Sequence, residues 1–138
     1  MSWLPVYLDS SAILKLVVNE PESAALEAVL ARWPDWVSNR LAAVECRRAL
    51  RRARAPAWTR SRIDQVLESM VLIRVDEPVL HLAETMGGKT LRTLHAIHLA
   101  TALSLGDHPE AFIAYDTRLA NAARRAGFTV LRPGAYQR

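Results

Sequence analysis

Two aspartates end short apolar runs and stand where they could act together on a substrate. Asp9 follows Val6-Tyr7-Leu8, and Asp116 follows Ala111-Phe112-Ile113-Ala114-Tyr115. Such runs are typical of strands that are buried on both sides in a parallel sheet. Parallel strands end at a common edge, where open α/β sheets bind their ligands. We therefore expect Asp9 and Asp116 to converge at this edge if their strands are neighbours.

Glu45 is a third acidic candidate, on a helix predicted over 40–54. One side of this helix is small or apolar, and Glu45 borders it, so its carboxylate can join Asp9 and Asp116 when the helix packs on the sheet. The residues on that side are Ala42, Ala43, Cys46, Ala49, Leu50 and Ala53. Clustered carboxylates repel each other unless a divalent cation such as Mg²⁺ or Mn²⁺ binds between them. A cation held in this way supports hydrolysis of a phosphodiester.

Each of these acids also has a purely structural interpretation. Asp9 can serve as the cap of the helix that follows it, although Ser10 or Ser11 is the predicted cap. Glu45 can pair with an arginine of its own helix. Both alternatives stay open at the level of sequence.

Basic residues are concentrated on the same helix and just after it. The chain carries a net charge of +4, and eight of its arginines lie between Arg40 and Arg62. A local basic face favours contact with a polyanion or with an acidic protein partner, while a solvated helix face is the alternative. The arginines predicted to form this face are Arg47, Arg48, Arg51 and Arg54.

Length and composition indicate one domain over residues 1–138 with a single hydrophobic core. No apolar run approaches membrane-spanning length, and the start of the chain has no signal-peptide pattern. The single cysteine, Cys46, cannot form an internal disulfide, which fits a reducing compartment. We therefore expect a soluble cytoplasmic protein without a membrane contact.

Strand and helix patterns alternate along the chain, which predicts an α/β fold with a mostly parallel sheet and helices on both faces. Thr59, Asp76 and Thr93 are predicted helix caps. Beyond those already named, helices are predicted over 22–33, from 59 to about 70, from 76 to Gly87-Gly88, over 93–103 and from 117 to Gly127, and strands over 36–38, 71–75 and 129–131.

The helix after Thr93 is apolar almost all round, so it is predicted to be buried, with His98 as a structural core residue.

Four segments, in this order, resemble PIN-domain ribonucleases, most closely the VapC toxins of bacterial toxin–antitoxin pairs. The resemblance implies a five-stranded parallel sheet, a Mg²⁺- or Mn²⁺-dependent endoribonuclease that cuts structured RNA such as tRNA, a homodimer and a VapB-like antitoxin. The segments are Tyr7–Ala12, Ala43–Glu45, Leu91–Leu94 with Ala96–Ala102, and Tyr115–Leu119.

By this resemblance, Asp9 and Asp116 are metal ligands and Glu45 acts through metal-bound water. Ser11 matches a hydroxyl near the metal, and Thr117 is a further supporting candidate. His95 departs from the pattern, because the family usually has an aspartate ligand there. An imidazole suits Mn²⁺, Zn²⁺ or Ni²⁺ better than Mg²⁺. His95 is therefore a candidate ligand for a softer metal, a phosphate contact, a proton carrier or a mark of a weakened site.

Two other functional classes are alternatives to the nuclease. A binding module of the same fold, with catalysis impaired by His95, is the alternative that remains. Haloacid-dehalogenase-like phosphatases need a second acid two residues after the first aspartate, where this chain has Ser11. Receiver domains need an acidic pair at the first strand end and a lysine at a later one, and neither is present.

Overall fold

Five parallel strands form the centre of the protein. The computed structural model describes residues 4–106 and 108–135. Its strands are β1 (Val6–Leu8), β2 (Trp36–Asn39), β3 (Val71–Ile73), β4 (Ala111–Ile113) and β5 (Val130–Leu131). They pair in the order β3-β2-β1-β4-β5, and every pairing is parallel. The predicted five-stranded parallel sheet is confirmed.

The central strand, β1, lies between β2 and β4. Tyr7 is in register with Val37 on one side and with Phe112 on the other. The chain thus runs outward from β1 in both directions, which makes the carboxyl end of β1 and β4 the topological switch point. Asp9 follows β1 directly, and Asp116 stands three residues after the end of β4. The sheet order therefore brings the two predicted strand-end aspartates to one edge.

Helices connect the strands and cover the sheet. The described helices are α1 (Ser10–Lys15), α2 (Ser23–Leu30), α3 (Arg40–Arg52), α4 (Trp58–Glu68), α5 (Glu77–Ala83), α6 (Thr93–Ser104) and α7 (Thr117–Arg125). Three of them end earlier than predicted: α2 before Trp33, α3 before Arg54, and α5 before Gly87. Turns rather than helix fill those gaps, so the Gly87-Gly88 pair does not end α5. None of the described helices is long and apolar enough to cross a membrane.

Alternation along β1 divides the core into two main layers. Val6 and Leu8 pack with residues of α1 to α4, such as Leu26 and Ile63, whereas Tyr7 packs with residues of α6 and α7. Successive side chains of a strand point to opposite faces, so this division places helices on both faces of the sheet. The predicted arrangement is confirmed.

Four helices that follow strands begin at an Asp or Asn. Side chains of these residues accept a hydrogen bond from the backbone N–H three residues later, at 2.9–3.1 Å. The four caps are Asp9 for α1, Asn39 for α3, Asp76 for α5 and Asp116 for α7. The strand-end residue keeps an extended backbone, which lets its short side chain reach the first turn.

The other predicted caps are wrong. Ser10 and Ser11 already lie inside α1, because Asp9 takes the cap position. Thr59 lies inside α4, where its hydroxyl donates to the carbonyl of Pro56 at 2.6 Å. Thr93 is the first helical residue of α6, one position after the true boundary at Arg92.

Candidate active site

A cavity of about 410 Å³ opens at the carboxyl edge of the sheet. Asp9 and Glu45 supply its acidic groups, and His95 and His98 of α6 supply imidazoles. The remaining lining comes from α1, α3 and the start of α6: Ser10, Ser11, Leu14, Leu41, Val44, Arg48, Ala49, Arg52 and Leu94. The structure therefore brings two of the three predicted carboxylates into one cavity.

Asp9 is both the cap of α1 and a carboxylate of the cavity. Its Oδ1 accepts hydrogen bonds from Ser11 Oγ at 2.7 Å and from Ala12 N at 3.0 Å, so it caps α1. Ser11 Oγ also accepts from the backbone N–H of Tyr115 at 3.2 Å, which ties the cap to the loop after β4. Asp9 is only 2% exposed. This burial raises its pKa despite the attraction of His98 and the hydrogen bonds.

Glu45 pairs with His98 and not with an arginine of its own helix. Glu45 Oε1 lies 2.9 Å from His98 Nε2, and no ion pair to an arginine is found for Glu45 within the described residues. Partial burial alone would raise the pKa of Glu45. The hydrogen bond and the electrostatic attraction of His98 outweigh it, so the pKa lies below the ordinary value and Glu45 stays ionised at neutral pH.

His98 is the centre of a buried hydrogen-bond network, in agreement with its predicted structural role. Its Nδ1 lies 2.8 Å from the Tyr7 hydroxyl and 3.4 Å from Asn39 Nδ2, while Nε2 also approaches Ser10 Oγ at 3.2 Å. A carboxylate only accepts, so the pairing with Glu45 requires a proton on Nε2 of His98. His98 thereby fixes the position of Glu45 relative to the sheet.

Asp116 lies outside this cavity. Its Oδ1 accepts from Leu119 N at 2.9 Å, which caps α7. It lines an adjoining cavity of about 350 Å³ together with Arg92, His95, Thr117 and Arg118. His95 lines both cavities, and its Nδ1 is 3.7 Å from Asp116 Oδ1. The imidazole therefore stands between Asp116 and the other two carboxylates.

The donor set fits a hydrated ion better than a closed protein cage. Within residues 4–106 and 108–135, no three His, Cys, Asp or Glu side chains are grouped so that they could hold a metal ion together. Mg²⁺, however, often binds through one or two carboxylates and keeps several waters. Asp9 and Glu45 offer such a pair in one cavity, and a cation there would offset the buried charge of Asp9.

Four arginines of α3 and the turn after it, Arg48, Arg51, Arg52 and Arg54, together line a cavity of about 390 Å³, and the arginines of this region also line two neighbouring cavities. Arg47, Arg51 and Arg54 line a groove of about 640 Å³ between α3 and α4, with Leu50 and Ile63 among its apolar residues. Arg48 and Arg52 also line the Asp9–Glu45 cavity. Neighbouring residues of a helix differ by about 100° in direction, which separates Arg47 from Arg48.

Sequence reasoning missed four residues near the carboxylates. Arg52 follows Arg48 by one helical turn, so the same wheel could have placed it. Asn39 ends a strand and begins a helix as Asp9 and Asp116 do, and this shared pattern was an available signal. Tyr7 and Ser10 contact His98 across 91 and 88 positions of sequence, and no local pattern indicates such pairs.

Comparison with solved structures supports the same fold. Mycobacterium tuberculosis VapC20, described as a Sarcin-Ricin loop cleaving toxin, superimposes with a TM-score of 0.73 at 16% identity, over 93% of this chain and 99% of that chain. FitAcB from Neisseria gonorrhoeae gives a TM-score of 0.71 at 19% identity, over 93% and 97%. At these identities the likeness establishes the fold alone.

Comparison of sequences gives the family. The PIN domain model matches residues 6–125. Ribonuclease VapC46 of Mycobacterium tuberculosis (strain ATCC 25618 / H37Rv) is 44% identical over 93% of this chain and 97% of its own length. Ribonuclease VapC47 of the same species (strain CDC 1551 / Oshkosh) is 38% identical over 96% and 99%. With a family match over most of its length and relatives this similar, the chain belongs to the VapC-type PIN-domain ribonucleases.

Proposed function

We propose that this ribonuclease toxin is a Mg²⁺- or Mn²⁺-dependent endoribonuclease whose reaction takes place in the Asp9–Glu45 cavity. The observation that carries the proposal is the pair of carboxylates facing one cavity at the switch point of the sheet. When bound, the ion would supply positive charge beside the reacting phosphodiester.

The residues of the site have distinct roles in this proposal. Asp9 holds the ion from a fixed position, because two hydrogen bonds lock its carboxylate. Glu45 is held ionised by His98 and would contact the ion through bound water. Asp116, with Thr117 beside it, contributes negative charge from the adjoining cavity, and Ser11 keeps Asp9 in place.

An RNA cleavage assay with purified protein and a titration of each metal tests this function. Asp9→Asn and Glu45→Gln should abolish cleavage that depends on added divalent ions. Glu68→Gln is the matched control, because Glu68 is exposed on α4 and lines none of the cavities described here. Full activity of a contaminant-free Asp9→Asn preparation would contradict the assignment.

The proposed substrate is structured cellular RNA, with tRNA as the first candidate. The description of VapC20 as a Sarcin-Ricin loop cleaving toxin supports structured RNA as the class and makes a ribosomal RNA fragment the second substrate to test. Incubation with total tRNA and with a ribosomal RNA hairpin, followed by mapping of the new 5′ ends, separates these substrates.

A VapB-like antitoxin is the proposed protein partner, and the α3–α4 groove is its proposed docking site. Leu50 and Ile63 line this groove together with the basic side chains of Arg51, Arg54 and Arg60, while Arg47 pairs with Asp64 of the same groove. Such a groove fits a segment with apolar anchors and acidic flanks. Arg51→Glu with Arg54→Glu should weaken antitoxin binding, most at low salt, and unchanged binding would remove the groove from the interface.

Assembly and location complete the proposal. We propose a homodimer of single-domain subunits, residues 1–138, in the cytoplasm, where the lone thiol of Cys46 stays reduced. Light scattering of the free protein tests the dimer.

A PIN-fold binding module is the second candidate function. Two observations favour it: His95 stands between Asp116 and the other carboxylates, and the described residues contain no preassembled group of three ligands. A binding module would retain RNA and antitoxin affinity but would show no cleavage with any divalent ion.

A further inference from the structure

We propose that two pairs of arginines, Arg48 with Arg52 and Arg92 with Arg118, bind the RNA backbone on either side of the carboxylate site. This inference rests on the proposed function and adds to it the path of the substrate. The first pair lines the Asp9–Glu45 cavity, and the second lines the adjoining cavity of Asp116.

Arg48 and Arg52 are exposed cations without a partner in the described part of the chain. Neither forms an ion pair or a hydrogen bond to a described residue, whereas Arg47 on the same helix pairs with Asp64 at 2.8 Å. They stand one turn apart on α3, where like charges repel each other. Because they have no partner among the described residues, both guanidinium groups are available to bind an anion at the cavity. Phosphate is an anion whose geometry a guanidinium group matches.

Arg92 and Arg118 stand where helix electrostatics disfavour them. Arg92 is the N-cap of α6, and Arg118 is the second residue of α7. A positive side chain at a helix N-terminus opposes the helix dipole. Both are exposed, and neither makes an ion pair with a residue that the structure describes, Asp116 included. Helix stability therefore gives no reason for these two cations, while a bound polyanion does.

His95 connects the two pairs into one path. It lines both cavities, so a strand that passes from one cavity to the other crosses this imidazole. The segment in between would lie beside Asp9 and Glu45, with phosphates bound by arginines before and after it.

The cavity wall favours an unpaired nucleotide. Val44 and Leu94 line the cavity and are 53% and 43% exposed, which is unusual for large apolar side chains. An apolar surface between cations suits a nucleotide whose base is unstacked from a single strand or loop. The face of the base is apolar, whereas the RNA backbone beside it is charged. The path therefore selects single-stranded segments over continuous duplex.

Salt dependence of RNA binding tests the path without requiring cleavage. The probe is a short fluorescent single-stranded RNA, and the protein background is Asp9→Asn, so that the probe stays intact. Each phosphate contact to a single strand adds about 0.7 to the slope of log affinity against log salt. Arg48→Gln with Arg52→Gln should therefore reduce the slope by about 1.4, and Arg92→Gln with Arg118→Gln by the same amount.

Arg124→Gln with Arg125→Gln removes the same charge and is the matched control. Both residues are exposed at the end of α7 and line none of the described cavities, so the slope should stay unchanged. Arg48→Lys with Arg52→Lys should retain most of the slope, because the positive charge remains.

The outcomes separate this path from the proposed function. If the parent protein cleaves RNA but both arginine-pair variants show the same salt slope as the Arg124→Gln, Arg125→Gln control, the proposed path is wrong and the proposed nuclease function stands. A loss confined to one pair overturns the two-sided path. A parent protein that neither cleaves nor binds RNA overturns both proposals.

Discussion

Replacing Asp9 by Asn separates its two roles, because asparagine can keep the helix cap but not the charge. The amide oxygen can still accept from Ala12 N and Ser11 Oγ, which now bond to Oδ1. Asparagine and aspartate are nearly equal as N-caps. The variant therefore loses the anionic ligand and the cost of burying it, while the local structure of α1 is retained.

The expected magnitudes follow from these contacts. In buffer without divalent ions, Asp9→Asn should unfold at a temperature equal to or above that of the parent. Asp9→Ala loses the cap as well, and this costs about 0.5–2 kcal/mol relative to Asp9→Asn. For a chain of this size, each kcal/mol shifts the melting temperature by about 2–4 °C. Divalent ion at 100 times its Kd should add about 2.7 kcal/mol to the parent only.

The stabilisation by Asp9→Asn should also depend on pH. Burial holds the pKa of Asp9 above the value of 3.8 that applies to the unfolded chain. The folded state therefore binds the proton more tightly, so the ionised group destabilises the fold at neutral pH. As the pH falls below the folded pKa, Asp9 takes up a proton and the difference in stability between the two proteins should shrink, and it should disappear near pH 3.8, where the unfolded chain is protonated as well.

Thermal unfolding of the parent, Asp9→Asn and Asp9→Ala, with and without Mg²⁺ or Mn²⁺, measures these effects, and Glu68→Gln serves as the control. Equal stabilisation of the parent and Asp9→Asn by divalent ions would show that the ion binds elsewhere. A neutral-pH melting temperature of Asp9→Asn far below the parent would show that the charge itself supports the fold, and would refute the reasoning about burial.

Three further predictions follow from the same contacts. His95→Asp should raise cleavage supported by Mg²⁺ and narrow its gap to Mn²⁺, because a carboxylate suits the harder ion; lower cleavage with both metals would indicate an independent role for His95. His98→Leu should cost about 1–3 kcal/mol for each buried polar group that loses its partner, as measured by urea unfolding, whereas a loss below 1 kcal/mol would mean that the network rearranges. Lys15 binds Glu20 and Glu22 at 2.9 and 3.0 Å, and the contact with Lys15 lowers the pKa of Glu22 below 4.5. Lys15→Met should therefore be less stable than the parent at neutral pH, and this difference in the free energy of unfolding should disappear as Glu22 is protonated below pH 4.5. A difference between the two proteins that persists at that pH would exclude the ion pair as its source.

The features that sequence predicted well are those that depend on neighbouring residues. Short apolar runs ending at Asp9 and Asp116 predicted two buried strands and their common edge, because burial on both faces leaves a continuous apolar pattern. The ends of helices were predicted less accurately than the strands. Both α2 and α5 end before the residues that were predicted to end them, because a turn can follow a helix without interrupting the spacing of apolar residues.

The features that sequence missed depend on contacts between distant segments. Glu45 and His98 are 53 positions apart, and the local sequence offered Glu45 only an arginine of its own helix as a partner. The expected meeting of three carboxylates was only partly correct, because Asp116 turns to cap α7 while His95 fills the space beside it. Hydrogen bonds decide the direction in which a short side chain points at a crowded strand edge. These bonds join segments that are distant in sequence, so only the three-dimensional structure shows them.

The Asp and Asn caps described above have a consequence for how this protein can change over generations. Asp9 both begins α1 and is the proposed ligand of the divalent ion, so the helix start itself places a carboxylate oxygen at the sheet edge. Exchange between Asp and Asn at such a position alters charge while the helix start is retained. A single substitution at Asp9 can therefore remove or restore the proposed chemistry while the start of α1 is retained, and the remaining surface can still bind its partners.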